Sequence, residues 1–151
     1  MQPTLTTLIF DWGRTIHDPE RDILFEGVTE LIPEFAAKYT LALVSLAKSE
    51  TPEGRRKSIE ESGIAQYFDH ILVGADDKNE MYEKLLTELA VNPQEIALID
   101  DRTVRGIAWG NRKGATTIWF QNGKFALELP TQETGDPTHI ISSFEELKNI
   151  L

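Results

Sequence analysis

With 151 residues, 40% of them hydrophobic and 26% charged, the chain has room for one core and an ordinary globular composition. Its formal net charge of −10 speaks against a nucleic-acid or anionic-membrane partner, because phosphate surfaces reward clustered Lys and Arg. There is no cysteine, which excludes disulfides and thiolate metal sites. The segment Met1 to Leu8 is too short and polar for a signal peptide, and no apolar run reaches membrane-span length, so a cytoplasmic location is expected.

In chain order, Leu8-Ile9-Phe10 is a continuous apolar run suited to a buried parallel strand. Val28, Leu31, Ile32, Phe35, Ala36 and Tyr39 recur at helical spacing, with Pro33 inside the pattern, so this helix is expected to start late or to kink there. Leu41 to Val44 form a second strand. Thr51-Pro52 supplies an N-cap and a first-turn proline for a helix that Gly63 stops. Ile71 to Val73 are a third strand, and Met81, Tyr82, Leu85, Leu86 and Leu89 the next helical face. Ile96 to Ile99 are a fourth strand, Val104 to Lys113 a short helix closed by Gly114, and Thr116 to Phe120 a fifth strand. Gln121 to Pro137, rich in Gly, Pro, Asn and Asp, is expected as an irregular surface loop. His139 to Ile141 make a sixth strand and Phe144 to Leu151 a terminal helix.

Strands alternating with helices imply βαβ crossovers, hence a Rossmann-like three-layer α/β/α fold with a mainly parallel sheet, spanning 1–151 as one domain. Ligands in such sheets bind beyond the carboxyl ends of the strands. Those ends carry Asp11, Ser45, the Asp76 to Lys78 turn and Asp100-Asp101, all polar or charged. Two carboxylates from neighbouring strand ends repel each other unless a cation intervenes. Mg²⁺ suits the pair Asp11 and Asp101, with Asp100 as an outer member, because it takes hard oxygen ligands. With charge neutralised by a metal and a lysine, a carboxylate can attack phosphorus and form an aspartyl-phosphate. Ser45 and the backbone N–H groups of Leu46 and Ala47 are placed to hold phosphate oxygens.

The segment Leu8-Ile9-Phe10-Asp11-Trp12-Gly13-Arg14-Thr15-Ile16 resembles the first motif of the haloacid dehalogenase (HAD) superfamily of phosphohydrolases. Leu41 to Ser45 is similar to its second motif, and Ile96 to Phe120, with Gly110 and Gly114, to its fourth. The resemblance implies a Mg²⁺-dependent hydrolase in which Asp11 is nucleophile and metal ligand. The carbonyl of Gly13 and Asp101 would complete the metal ligands, Ser45 would bind phosphate, and Lys78 would pair with the nucleophile. The gaps from Asp11 to Ser45 and from Ser45 to Lys78 leave no room for a cap domain, so the resemblance is to capless members. Their open sites accept large substrates or close by oligomerising, which implies a phosphorylated small molecule or protein as partner.

Three departures from the pattern, at Gly13, Arg14 and Gly106, bear on activity. Gly13 stands where phosphatases of this family carry a second Asp, the acid that protonates the leaving alcohol. Arg14 beside it is a fixed cation that cannot donate a proton near neutral pH, although it can contact substrate. Gly106 stands where the fourth motif often has another acid. The alternative reading is therefore a catalytically impaired relative that keeps the pocket and binds a phosphorylated ligand or a protein. A receiver-like or nucleotide-binding sheet is a third reading, weakened by the lack of a Gly-rich loop after the first strand. Trp12 and Trp119 are expected to pack, His17 to lie away from the site, and Arg55-Arg56-Lys57 to form a solvated helix face.

Overall fold

A computed structural model describes residues 4–151. The first three residues of the polar Met1 to Leu8 segment lie outside the described residues. β1 (Thr7–Phe10) is followed by a small hairpin, β2 (His17–Asp18) and β3 (Ile23–Leu24), and by helix α1 (Val28–Ala36). Then come β4 (Thr40–Leu46), α2 (Pro52–Glu61), β5 (His70–Gly74), α3 (Lys78–Leu89) and β6 (Ile96–Asp100). A π-turn (Thr103–Ile107) leads directly into α4 (Ala108–Lys113), before β7 (Thr116–Phe120), β8 (His139–Ile141) and a closing 3-10 helix (Phe144–Asn149). The six longer strands form one sheet in the order β5-β4-β1-β6-β7-β8, every pairing parallel.

Period-two alternation sends residues to two cores. Leu8 and Phe10 of β1, Leu41 and Leu43 of β4, and Ala97 and Ile99 of β6 face α1, Ile59 of α2 and the closing 3-10 helix. Ile9, Ala42, Val44, Ile96 and Leu98 face Tyr82 and Leu85 of α3 and Trp109 of α4. Every residue of β1 and β6 is buried, as central parallel strands covered on both faces require. This is the three-layer α/β/α fold expected from the sequence.

Several local expectations change. α1 runs uninterrupted from Val28 through Pro33, so it does not start late. The closing helix is 3-10 in type, and the helix expected from Val104 begins as a π-turn. The loop after β7 is tied down. Asn122 Nδ2 donates to the Arg14 carbonyl at 2.8 Å, Glu128 accepts from Arg102 Nε at 2.9 Å, and Asn111 Nδ2 donates to the Thr134 carbonyl at 2.9 Å. Among the described residues, no helix is long and apolar enough to cross a membrane.

Gly110 marks where α4 meets β7. A Cβ there would stand 2.6 Å from Thr117 Cγ2, and Thr117 is locked because its hydroxyl donates to Asn111 Oδ1 at 2.8 Å. Helix propensity alone would make Gly110→Ala stabilising by about 1 kcal/mol. Overpacking against a fixed side chain costs about 1–3 kcal/mol, and that term wins. Gly110→Ala is expected to lower the urea midpoint of unfolding; a raised midpoint would show that the α4–β7 contact yields.

Candidate active site

Strand register brings the site together. Phe10 pairs with Leu43 on one side and Ile99 on the other, so the next residue, Asp11, stands beside Asp100, with its N–H donating to the Ile99 carbonyl at 3.0 Å. Directly after it, the Trp12 carbonyl accepts from the N–H groups of Thr15, Ile16 and His17, a tight turn that swings Gly13 and Arg14 over the strand end. From across the sheet, Asp77 caps α3 by accepting from the Asn79 N–H at 2.9 Å, which sets Lys78 as the first helical residue. Lys78 is 4% exposed. Its Nζ donates to Asp11 Oδ1 at 2.8 Å and to Asp100 Oδ2 at 3.0 Å. The structure puts Lys78 against Asp11, as the resemblance implied, and directs the Lys48 ammonium to the Ala75 carbonyl at 3.2 Å.

Asp100 is more than an outer member. Its Oδ1 accepts from the Arg102 N–H at 3.1 Å and its Oδ2 from the Gly106 N–H at 2.8 Å, so one carboxylate organises the π-turn and holds Lys78. Gly106 is required by this arrangement. A Cβ at 106 would lie 2.4 Å from Asp100 Oδ2 and 2.7 Å from Leu98 Cδ2, so no acidic side chain fits there while Asp100 occupies the space.

Asp11, Asp100 and Asp101 are all buried, and they bring carboxylate oxygens within 4.8 Å of one another. Burial and the neighbouring Asp100 raise the Asp11 carboxyl, while Lys78 pulls it back. Asp100 is also penalised by burial, but Lys78 and the N–H groups on it win and hold it below the usual range. Burial opposes the charged form of Lys78, yet the two carboxylates raise its pKa well above the usual value, so it remains an ammonium. Among the described residues, Asp101 has no such partner. Burial, then the charges of Asp11 and Asp100, push it up to about 10. Three carboxylates against one ammonium form an oxygen-rich donor set short of positive charge, which fits a hard divalent cation. The Gly13 carbonyl accepts no hydrogen bond among the described residues, so it remains free to join that set.

These groups open onto a cleft of about 410 Å³ lined by Asp11, Gly13, Arg14, Leu46 and Asp101. Ser45 lies beneath it, fully buried, its Oγ accepting from Arg55 Nη1 at 2.6 Å. The Ala47 N–H is bonded to the Gly74 carbonyl at 2.7 Å and is therefore not free for a ligand. Arg55 was expected on a solvated face; its side chain is only 13% exposed and reaches the cleft. His17 was expected away from the site but lines the cleft, stacked on the buried Trp12 at 5.6 Å and paired to Asp22 Oδ1 at 2.9 Å. Asp101 does not cap a helix, since the π-turn starts without a side-chain cap. Its carbonyl accepts from Trp119 Nε1 at 2.8 Å, so Trp119 has a fixing role as well as a packing one.

The profile of the haloacid dehalogenase-like hydrolases matches residues 1–120. The chain belongs to that family. Among curated relatives, the HAD chain is 26% identical over 94 residues to the glyceraldehyde 3-phosphate phosphatase of Pyrococcus furiosus, a match covering 58% of this chain and 38% of that protein's length. Among solved structures it resembles YfnB from Bacillus subtilis, described as a HAD-hydrolase and solved bound to magnesium. That match has a TM-score of 0.80 at 15% identity, over 99% of both chains. It also resembles a predicted phosphoglycolate phosphatase from Haemophilus somnus, with a TM-score of 0.68 at 19% identity, over 84% of this chain and 56% of that one. HAD hydrolases generally use Mg²⁺.

The Asp101 shift has a measurable consequence. Between its ordinary 3.8 and about 10, the folded protein keeps a proton on Asp101 that the unfolded chain has released. In chelator, the contribution of this group to stability is therefore full below that window and is lost as pH rises through it. Asp101→Asn cannot ionise, so it is expected to flatten that decline and to unfold at higher temperature than wild type at pH 8 in chelator. The same variant is expected to lose any rise in Tm on adding Mg²⁺. Thermal unfolding with and without Mg²⁺ checks both; an unchanged pH slope would remove Asp101 from the account.

Proposed function

We propose that this HAD-family chain is a Mg²⁺-dependent phosphohydrolase that works through Asp11 as nucleophile on a phosphorylated substrate. The observation that carries the reading is Lys78, which holds Asp11 and Asp100 while Asp101 remains without a counter-charge. Asp11, Asp101 and the Gly13 carbonyl would hold the ion, with Asp100 nearby; bound there, Mg²⁺ supplies charge neutralisation and polarises phosphoryl oxygens.

The residues do the remaining work. Lys78 favours the charged form of Asp11 and fixes its Oδ1, and Thr15 Oγ1 donates to its Oδ2 at 3.3 Å, so the carboxylate is oriented on both sides. A carboxylate oxygen of Asp11 attacks phosphorus, the substrate oxygen departs with its electron pair, and water then cleaves the aspartyl-phosphate to restore Asp11 and release phosphate. Arg55, steadied by Ser45 and by Glu50 at 3.1 Å, is the cation nearest that serine for the phosphoryl oxygens, with Leu46 forming the adjoining wall. Arg14 borders the cleft as a further contact for the substrate.

Gly13 offers no proton to the departing oxygen. Substrates with good leaving groups, acyl or aryl phosphates, therefore suit this site better than alkyl esters. The same residue favours a second reading, a catalytically impaired relative that binds a phosphorylated ligand or protein. The space at position 13 is open, with no atom within 4 Å of a Cβ built there. Gly13→Asp is thus expected to raise turnover of an alkyl phosphate by about 10²–10⁴ while changing acetyl phosphate turnover far less. Asp11→Asn is expected to abolish Mg²⁺-dependent release of phosphate from acetyl and p-nitrophenyl phosphate. Initial rates on the three substrates decide the matter. Wild-type rates in Asp11→Asn would remove the nucleophile, and phosphate-ester binding without turnover in the wild type would favour the impaired relative.

A further inference from the structure

The chain is strongly acidic, yet the cleft reverses that sign locally. Six of its 15 Lys and Arg residues line this one opening: Arg14, Lys48, Arg55, Arg102, Arg105 and Lys124. The sheet order splits them. Lys48 and Arg55 come from the segment after β4, on one side of β1; Arg102, Arg105 and Lys124 follow β6 and β7, on the other. One phosphoryl group over Asp11 explains the first set, where Ser45 and Arg55 meet. It leaves Arg105 and Lys124 without a role.

The second set is built rather than scattered. Phe125 is its hub, with Arg102 Cζ 3.8 Å, Lys124 Nζ 5.0 Å and Arg14 Cζ 5.8 Å from the ring centroid. Arg14 sits in left-handed backbone, φ 62°, an uncommon conformation for a residue with a Cβ. It is held there by Asn122 on its carbonyl, and its guanidinium packs so close to Gly123 that a Cβ would meet Nη1 at 3.2 Å. Glu20 partners Arg14 and Glu128 partners Arg102, both ion pairs. Arg105 and Lys124 have no carboxylate within 4.0 Å among the described residues. Both line the cleft, Lys124 against the Phe125 ring, and two cations without a carboxylate partner make this part of it favourable to a second anion.

We propose that the ligand of this cleft carries two separate anionic groups. One is the phosphoryl group over Asp11; the other, a carboxylate or second phosphate, is held by Arg105 and Lys124 beside Phe125. The proposal rests on the phosphohydrolase reading and narrows its substrate class.

The test is equilibrium binding by calorimetry, on the full chain with Mg²⁺ in near-physiological salt, of phosphonates that cannot release phosphate by ester cleavage. Alkylphosphonates of two to six carbons are compared with ω-phosphonocarboxylates and α,ω-bisphosphonates of the same lengths, in wild type and in Arg105→Gln/Lys124→Gln. At one spacer length or more, the second anion is expected to tighten wild-type binding by about tenfold or greater, and the double variant to lose that gain while its alkylphosphonate affinity stays within about threefold. The arm that gains identifies carboxylate or phosphate as the second group. No gain at any length, a gain that survives the double variant, or an equal loss for both ligand classes would overturn the proposal while leaving the hydrolase reading standing. If no phosphonate of any class binds, both readings fall together.

Discussion

The site depends on one buried ammonium shared by two carboxylates. Lys78 reaches Asp11 and Asp100 together, and without it two ionised groups would sit in a desolvated space with no compensation. Breaking such a contact by removing one partner typically costs about 3–5 kcal/mol, because the other charge stays buried. The fold makes the contact unavoidable. Parallel register sets Asp11 beside Asp100, the Asp77 cap fixes the first turn of α3, and Lys78 has nowhere else to put its charge. One lysine satisfies two carboxylates and not three, which leaves Asp101 the group most in need of a cation.

Both glycines that depart from the family pattern become intelligible in that frame, for opposite reasons. Gly106 is forced by proximity: the carboxylate of Asp100 already fills the space an acid at 106 would need, and it takes the Gly106 N–H as well. Gly13 is not forced. Its surroundings are open, so sterics give no reason for the lost side chain, and the departure is one of chemistry rather than packing. The cleft around it has a polarity opposite to that of the whole chain, with cations on both flanks of Asp11.

The sheet was legible because central strands are continuous apolar runs and their polar ends stand out, as in Leu8 to Phe10 followed by Asp11 and Ile96 to Ile99 followed by Asp100-Asp101. The hairpin of β2 and β3 was not, since two-residue strands carry no period to detect. Asp100 was undervalued because consecutive carboxylates look redundant in sequence; only the π-turn shows one of them binding Lys78 and two N–H groups. Arg55 was hidden among Arg56 and Lys57, where a run of charge resembles a solvated face and nothing local reveals that one member turns inward to Ser45. The loop after β7 reads as irregular by composition, yet Asn122 and Glu128 stitch it to the turn after β1 and to the π-turn. Those contacts span more than a hundred and about twenty-six positions respectively, far beyond the reach of any local signal.

The cation site proposed at the acidic ends of β1 and β6 is open to direct observation. A crystal of the full chain grown with Mn²⁺ and measured at its absorption edge tests this without reference to turnover. One anomalous peak is expected within about 2.0–2.4 Å of oxygens of Asp11, Asp101 and the Gly13 carbonyl, consistent with a hard cation held by oxygen donors. No peak there, or an ion bound elsewhere with Asp11 and Asp101 untouched, would contradict it.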